Sequence, residues 1–264
     1  MKIGFIGCGN MATAMIKGIL KQEAAGADQV MATAKSEGTK KKIREELGIL
    51  LGEDNRQAAA FGDLLFLAVK PQYYGEVIGE IRDVVREETV VISIAPGKSL
   101  EWLQEQFGRP MKLVRAMPNT PAMVGEGMTG LCPSQSVTEE EMERVLTVCG
   151  SFGQARQVPE NLMDVVTSVS GSSPAYVFLF IEAMADGAVA DGMPREAAYQ
   201  FAAQAVLGSA KMVLETGMHP GVLKDMVCSP GGTTMEAVRV LEEKGLRSAV
   251  IEAMKACVKK SRGM

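Results

Sequence analysis

The sequence predicts a doubly wound α/β domain with a mainly parallel sheet, followed by an all-helical domain. Three observations carry this. Lys2–Ile16 reads as strand, glycine turn and helix; short apolar runs ending in turns alternate with helical stretches up to residue 160; and from Asn161 onward only helical periodicity remains. The expected domains are therefore 1–160 and 161–264.

The opening unit sets the first expectation. Lys2–Ile6 is a short apolar strand, and Gly7-Cys8-Gly9-Asn10-Met11-Ala12 follows it directly into a helix. In a Gly-x-Gly-x-x-Ala turn the first glycine permits the tight turn and the second lets backbone approach a pyrophosphate. The small third residue lets helix and strand pack, and the helix N-terminus offers unpaired N–H groups to the anion. A dinucleotide site is expected there.

The next elements extend the sheet. Gln29–Thr33 reads as a second strand ending in Thr33-Ala34-Lys35-Ser36, where an NAD site usually carries an acidic residue. Lysine and hydroxyls suit a 2′-phosphate instead, so NADPH is preferred and NADH is possible. A charged helix over Glu37–Leu47 ends near Gly48. Leu64–Val69 is an apolar run of the kind a strand covered on both faces requires, stopped by Lys70-Pro71. A helix over Tyr73–Arg86, a strand over Thr89–Ala95 ending in Pro96-Gly97, a helix over Leu100–Phe107 and a strand over Lys112–Ala116 follow. The turns after Val69, Ala95 and Ala116 should line the cofactor crevice at the C-terminal ends of the strands. Gly127–Cys132 and Gln154–Val158 are the closing strands, flanking a helix whose Thr138-Glu139-Glu140-Glu141 start is a capping box.

In the second domain Ser173-Pro174 reads as N-cap and first residue of a long helix reaching Asp191-Gly192, and Pro194 opens another that runs to Thr216-Gly217. Apolar residues occupy more than one face of both. In a domain of this size that suggests burial against a second subunit, with a compact bundle core as the alternative. Cys228-Ser229-Pro230-Gly231-Gly232-Thr233-Thr234-Met235-Glu236 then sets Thr233 and Glu236 at capping-box spacing before a helix ending at Gly245. Two glycines before a helix could leave N–H groups converging on a small carboxylate; an ordinary helix entry reads the same.

Composition narrows the function classes. With 47% hydrophobic and 23% charged residues and a net charge of -4, the 264-residue chain has a globular profile without a basic nucleic-acid patch. Five widely spaced cysteines without a C-x-x-C pair argue against a disulfide framework or zinc site and fit a reducing cytoplasm. The single histidine, His219, sits in a Gly-Met-His-Pro-Gly turn, so no multi-histidine metal site is expected. The N-terminal apolar run is too short for a signal peptide, and Ala175–Ala190 is too short to span a bilayer. No membrane or nucleic-acid partner is expected.

Taken together, these residues resemble the pyrroline-5-carboxylate reductase family over essentially the whole chain. The likeness lies in the glycine turn, Ala68-Val69-Lys70-Pro71, Arg115–Pro121, Ser170–Tyr176 and Ser229–Thr234, the last two being specific to the family. The resemblance implies an N-terminal Rossmann domain and an all-α C-terminal domain that dimerises, often in larger rings, and completes the active site. It implies NAD(P)H-dependent reduction of 1-pyrroline-5-carboxylate to L-proline, the final step of proline biosynthesis. Carried onto this chain, the family's cofactor contacts fall on Gly7, Cys8, Gly9, Asn10, Met11 and Ala12. They continue on Ala34, Lys35 and Ser36, on Asn55, on Ala68, Val69, Lys70 and Pro71, and on Ile94, Ala95, Pro96 and Gly97. Substrate contacts fall on Ser229, Pro230, Gly231, Gly232, Thr233 and Thr234, with Thr234 matching the threonine proposed to bond the ring nitrogen. Two positions depart from the pattern: Ser173 stands where the family has glycine, and Ala34 lacks a hydroxyl that some members offer the 2′-phosphate. A β-hydroxyacid dehydrogenase would need a lysine early in the first long helix; Ala175–Leu179 has none, and Lys211 reads as surface. A dinucleotide sensor without chemistry would have no use for a second anion pocket.

Overall fold

The computed structural model describes residues 1–263 and falls into two compact units, Met1–Ser172 together with Cys257–Met264, and Ser173–Ala256. The sequence drew its boundary at 160/161; the contacts divide the chain after Ser172 and return the C-terminal residues to the first unit.

The first unit is built on an eight-stranded sheet. Its strands are β1 (Ile3–Ile6), β2 (Val30–Ala32), β3 (Leu50–Leu51), β4 (Leu64–Leu67), β5 (Val90–Ser93), β6 (Lys112–Met117), β7 (Gly127–Pro133) and β8 (Gly153–Gln157), in spatial order 3-2-1-4-5-6-7-8. All pairings are parallel except β6 with β7. The order reverses at β1, so the crevice beyond β1 and β4 is where a doubly wound sheet takes its ligand. Side-chain alternation fills both faces. Ile3, Phe5, Leu64, Phe66, Val90 and Ile92 enter one apolar cluster, while Ile6, Leu65, Leu67 and Val91 enter the other. This is why Leu64–Leu67 reads as an unbroken apolar run: both faces are covered. Phe5 and Phe66, register partners on β1 and β4, stack at 4.7 Å.

Helices α1 (Asn10–Lys21), α2 (Glu37–Lys42), α3 (Asn55–Phe61), α4 (Tyr74–Ile81), α5 (Leu100–Phe107) and α6 (Glu139–Gly150) connect the strands. The capping box expected at Thr138 is formed, with Thr138 Oγ1 accepting from Glu141 N–H and Glu141 accepting from Thr138 N–H. The expected helix over Glu37–Leu47 is α2 continued by a wider turn, Ile43–Leu47. Neither β3 nor α3 was expected; a two-residue strand and a seven-residue helix are too short for periodicity to register.

One polar atom in this core is exposed to cost. Thr129 on β7 is 1% exposed, and its Oγ1 has no hydrogen-bond partner among the described residues. Thr129→Val, which keeps the shape and removes the hydroxyl, is expected to stabilise the protein by about 1 kcal/mol, read as a rise in the urea midpoint. A fall would mean that the hydroxyl is hydrogen-bonded in solution.

Helical segments precede and follow the bend at Ser172. A short α7 (Met163–Val166) and a wide turn (Thr167–Gly171) run into α8 (Ser173–Ala190). This corrects one expectation: helical residues extend from 160 to 190, 31 in all, long and apolar enough to cross a membrane by length and composition. Counting from Ala175 missed them because residues 160–172 hold no continuous apolar pattern.

The second unit holds α8, α9 (Arg195–Thr216), α10 (Pro220–Val227) and α11 (Thr233–Glu243), then α12 (Leu246–Ser261), whose last turn belongs to the first unit. α8 packs on α9, yet the buried residues of the two helices are only Ala185, Ala198 and Ala202. Phe178, Leu179, Phe180, Phe201, Leu207 and Leu214 are all exposed. The chain's own helices therefore do not form a bundle core over this surface, which removes the compact-bundle alternative.

Candidate active site

The helix N-termini divide into those closed by a side chain and those left open. α2, α3, α5, α6 and α10 are each capped by a side chain, of Ser36, Asp54, Ser99, Thr138 and His219 respectively. α4, α7 and α9 lack a side-chain cap and begin on Tyr73, Leu162 and Pro194, whereas α1 and α11 lack one and begin on the glycines Gly9 and Gly232. Their first-turn N–H groups and positive dipole ends are left for an outside acceptor.

At the first cradle, Gly7 takes φ +91°, and a Cβ there would lie 2.9 Å from both Ala68 O and Val69 Cγ1. Only glycine makes this turn without strain. Gly9 differs: its φ of -75° suits any residue, and a Cβ would meet nothing within 4 Å. The space above it is open to a ligand. Ala12 is 1% exposed in the core beneath α1, where a larger side chain would push the helix off the sheet.

A cavity of about 600 Å³ gathers Gly7, Cys8, Gly9, Ala34, Lys35, Asn55, Ala68, Val69 and Lys70, together with Thr33, Tyr73, Val77 and Glu80. Nine of the proposed cofactor residues thus line one space. Asn10, Met11 and Ala12 belong to the first turn of α1. Ser36 does not line the cavity: its hydroxyl caps α2 by accepting from Thr39 N–H at 3.3 Å. Pro71 opens the turn before α4. Pro96 and Gly97 border a separate cavity of about 370 Å³ with Thr167, Ser172, Cys257, Lys260 and Ser261, while Ile94 and Ala95 border neither. The turn after Ala116 is likewise outside both cavities; Asn119 there is buried and bridges Ser170 O and Met128 N–H.

Hydrogen bonds missed by the sequence organise the first cavity. Gly7 N–H donates to Thr33 Oγ1 at 3.2 Å, Thr33 Oγ1 donates to Asn55 Oδ1 at 2.8 Å, and Asn55 Nδ2 donates to Glu80 Oε2 at 2.6 Å. The chain of donors fixes which way the Asn55 amide faces. Lys35 is exposed, with Nζ 3.7 Å from Glu76 and 5.2 Å from the centre of the Tyr73 ring, so it is not held by a strong local partner.

A larger groove of about 1080 Å³ lies along Leu100, Gln104, Cys132, Gln157 and Glu160. It offers no comparable anion site. At the N-terminus of α5 the Leu100 N–H is taken by Glu160 and the Trp102 N–H by Ser99, and Glu160 is also paired with the buried Arg115 at 2.8 Å.

At the second cradle two expectations need correction. Ser229-Pro230-Gly231-Gly232 closes a β-turn in which Gly232 N–H donates to Ser229 O at 3.0 Å and Gly231 takes φ +68°. The Gly232 amide is therefore spent, and the donors left for an anion are the first-turn amides of α11. The turn also brings the helix forward by one residue, so the Thr233–Glu236 capping box does not form: Gly232 is the N-cap and Glu236 is engaged by Arg239. The hydroxyls of Thr233 and Thr234 have no partner among the described residues. Elsewhere in helical segments Thr147, Thr167 and Thr216 bond the carbonyl four residues back. At Thr234 that residue is Pro230, outside the helix, and the hydroxyl stays available.

The remaining chemistry-bearing residues are quiet. All five cysteines are free, and burial pushes the thiols of Cys8 and Cys132 up and that of Cys149 to about 12, disfavouring thiolate nucleophiles. His219 accepts from Gly221 N–H at 3.0 Å as a helix cap. Lys211 is exposed and 3.4 Å from Glu215, a surface pair and not a general base. No metal-holding cluster occurs among the described residues.

The chain is similar to known proteins over nearly its whole length. Residues 160–264 match a family model described as pyrroline-5-carboxylate reductase dimerisation, and residues 2–97 one described as NADP oxidoreductase coenzyme F420-dependent. The chain is 52% identical over 260 residues to pyrroline-5-carboxylate reductase of Escherichia coli K12, covering 98% of this chain and 97% of the relative. It is 38% identical over 261 residues to that of Arabidopsis thaliana, covering 99% and 94%. Among solved structures, a pyrroline-5-carboxylate reductase from Coxiella burnetii superposes with TM-score 0.93 at 35% identity, covering 99% of this chain and 97% of that one. One from Plasmodium falciparum with NADP bound superposes with TM-score 0.91 at 31% identity, covering 100% and 97%.

Proposed function

The chain belongs to the pyrroline-5-carboxylate reductase family, and from that membership we propose that it reduces 1-pyrroline-5-carboxylate to L-proline, the last step of proline biosynthesis. The observation that carries the reading is the pair of helices begun on uncapped glycines, one in the dinucleotide cavity and one beside two unpartnered threonine hydroxyls. When bound, the reduced nicotinamide dinucleotide supplies the hydride. Everything asked of the protein is binding, orientation and exclusion of water.

The first-turn amides of α1 and the open backbone at Gly9 hold the pyrophosphate, and Asn55, Ala68, Val69 and Lys70 line the adjoining wall. Lys35 faces the 2′-phosphate, which makes NADPH the preferred donor while NADH remains usable. Ala34 and the capping role of Ser36 leave Lys35 as the main source of that preference. Pro71, Ile94, Ala95, Pro96 and Gly97 carry over from the family as further cofactor contacts. The Ser229–Gly232 turn and the N-terminus of α11 hold the substrate carboxylate, and Thr234 Oγ1 accepts a hydrogen bond from the protonated ring nitrogen. That bond favours the charged imine, whose carbon then draws the hydride, and the ring nitrogen becomes the secondary amine of proline.

The protein self-associates through residues 160–264, and we take its unit to be a dimer from which rings of dimers can be built. Support comes from the exposed Phe178, Leu179, Phe180, Phe201 and Leu214, a larger apolar surface than single chains usually leave to water. The same covering accounts for the apolar helical run at 160–190 without a membrane, in keeping with a cytoplasmic enzyme.

The test is NADPH absorbance with and without the imine. Imine-dependent oxidation is expected. Binding of NADPH with no imine-dependent oxidation would favour a dinucleotide sensor.

A further inference from the structure

We propose that Glu80 sets the balance between the two nicotinamide cofactors, as a carboxylate that accepts from the ribose diol and opposes a 2′-phosphate. The proposal rests on the dinucleotide reading of the α1 cavity and deepens it.

Chains that select NAD place an acidic residue at the end of the second strand, where it accepts from the 2′-hydroxyl. Here that position reads Thr33-Ala34-Lys35-Ser36 and contains no acid. A carboxylate nevertheless reaches the same space from α4. Glu80 lines the cavity with Thr33, Ala34 and Lys35, and is joined to Thr33 through Asn55 by bonds of 2.8 and 2.6 Å. Only Oε2 is engaged, by Asn55 Nδ2; Oε1 has no partner among the described residues. The other two carboxylates of the cavity differ. Asp54 is spent as the N-cap of α3, accepting from Gln57 N–H at 2.8 Å, and Glu53 stands on the loop before it with its own N–H fixed by Gln57 Oε1. Glu80 is thus the acid anchored by a charge-assisted bond with a second oxygen still to offer.

Its anchor matters as much as its charge. An exposed glutamate with no partner swings freely, whereas Glu80, though exposed, is tied to Asn55, itself tied through Thr33 to the Gly7 amide, and so keeps its negative charge near the end of β2. Two neighbouring charges then act in opposite directions on the same ligand group: Lys35 attracts a 2′-phosphate and Glu80 repels it. A ribose with a free 2′-hydroxyl gains an acceptor and meets no repulsion. The cavity is built to tolerate both dinucleotides, and Glu80 is the residue that holds the NADPH preference down.

Glu80→Gln tests this directly, because glutamine can still accept from Asn55 Nδ2 while the charge is gone. Dissociation constants of NADPH and NADH, measured separately by fluorescence titration without substrate, give a readout independent of turnover. The ratio of NADH to NADPH dissociation constants should rise about five- to twentyfold, most of it from tighter NADPH binding, and the effect should shrink at high salt. Glu80 is exposed, so the melting temperature should not move. An unchanged ratio, including an equal weakening of both cofactors as expected for a carboxylate on the adenine amine, would overturn the assignment. If the unaltered protein bound neither dinucleotide, the functional reading would fall instead.

Discussion

Gly9→Ala is expected to bind NADPH at least about a hundredfold more weakly than the unaltered protein, with little change in melting temperature. The backbone at Gly9 lies at φ -75° and ψ -170°, which alanine adopts without strain, and the added Cβ would touch no protein atom within 4 Å. The cost to the fold is confined to an alanine at a helix N-cap, about 1 kcal/mol or less, or roughly 2–4 °C. The cost to the ligand is larger. The methyl group occupies the space through which a pyrophosphate approaches the first-turn amides of α1, and each charge-assisted bond lost is worth about 1.5–3 kcal/mol. Losing two accounts for the hundredfold.

Gly7→Ala gives the contrasting result. Its φ of +91° and its 2.9 Å approaches to Ala68 O and Val69 Cγ1 mean that a methyl group distorts the turn itself, so stability and binding should fall together. Fluorescence titration with NADPH alongside thermal melting separates the two variants. Normal NADPH binding by Gly9→Ala would remove the pyrophosphate from the α1 cradle.

Much of this was legible where local chemistry and final structure agree. The Gly7–Ala12 turn, the doubly covered Leu64–Leu67 strand and the Thr138–Glu141 cap each depend on residues a few positions apart, and each is found as the pattern predicts. The Thr33–Asn55–Glu80 chain was not legible, because its bonds join residues 22 and 25 positions apart, on the turn after β2, on α3 and on α4. Asn55 entered only through family resemblance, and Glu80 not at all. Local rules also misled where two of them competed. Ser229-Pro230-Gly231-Gly232 can be read as a turn or as the lead-in to a capping box; the turn wins, spending the Gly232 amide and placing Thr233 inside the helix. For α8 and α9, apolar residues on several faces signalled burial without naming the partner. Only the structure, with Ala185, Ala198 and Ala202 buried and the aromatic and leucine side chains outside, separates a covered surface from an internal core.

That same competition gives Thr234 its importance. Thr234→Ala is expected to lower kcat about ten- to a hundredfold while NADPH affinity stays close to its original value. The hydroxyl is in the first turn of α11, where no carbonyl four residues back within the helix can take it, and it has no partner among the described residues. Its removal therefore breaks no bond of the fold, and alanine is the better helix former, so the melting temperature should hold. What is lost is the acceptor for the protonated ring nitrogen. A hydrogen bond to a charged group is worth about 1.5–3 kcal/mol, and if it strengthens as the hydride arrives the loss falls on kcat at roughly tenfold per 1.4 kcal/mol. Thr234→Ser, which keeps the hydroxyl, should recover most of the activity, and Thr233→Ala should cost less because Thr233 is the more exposed of the pair. Saturation kinetics with the imine, together with NADPH titration, distinguish the outcomes. Normal kcat accompanied by loss of NADPH binding would move Thr234 from the substrate to the cofactor, and with it the second cradle.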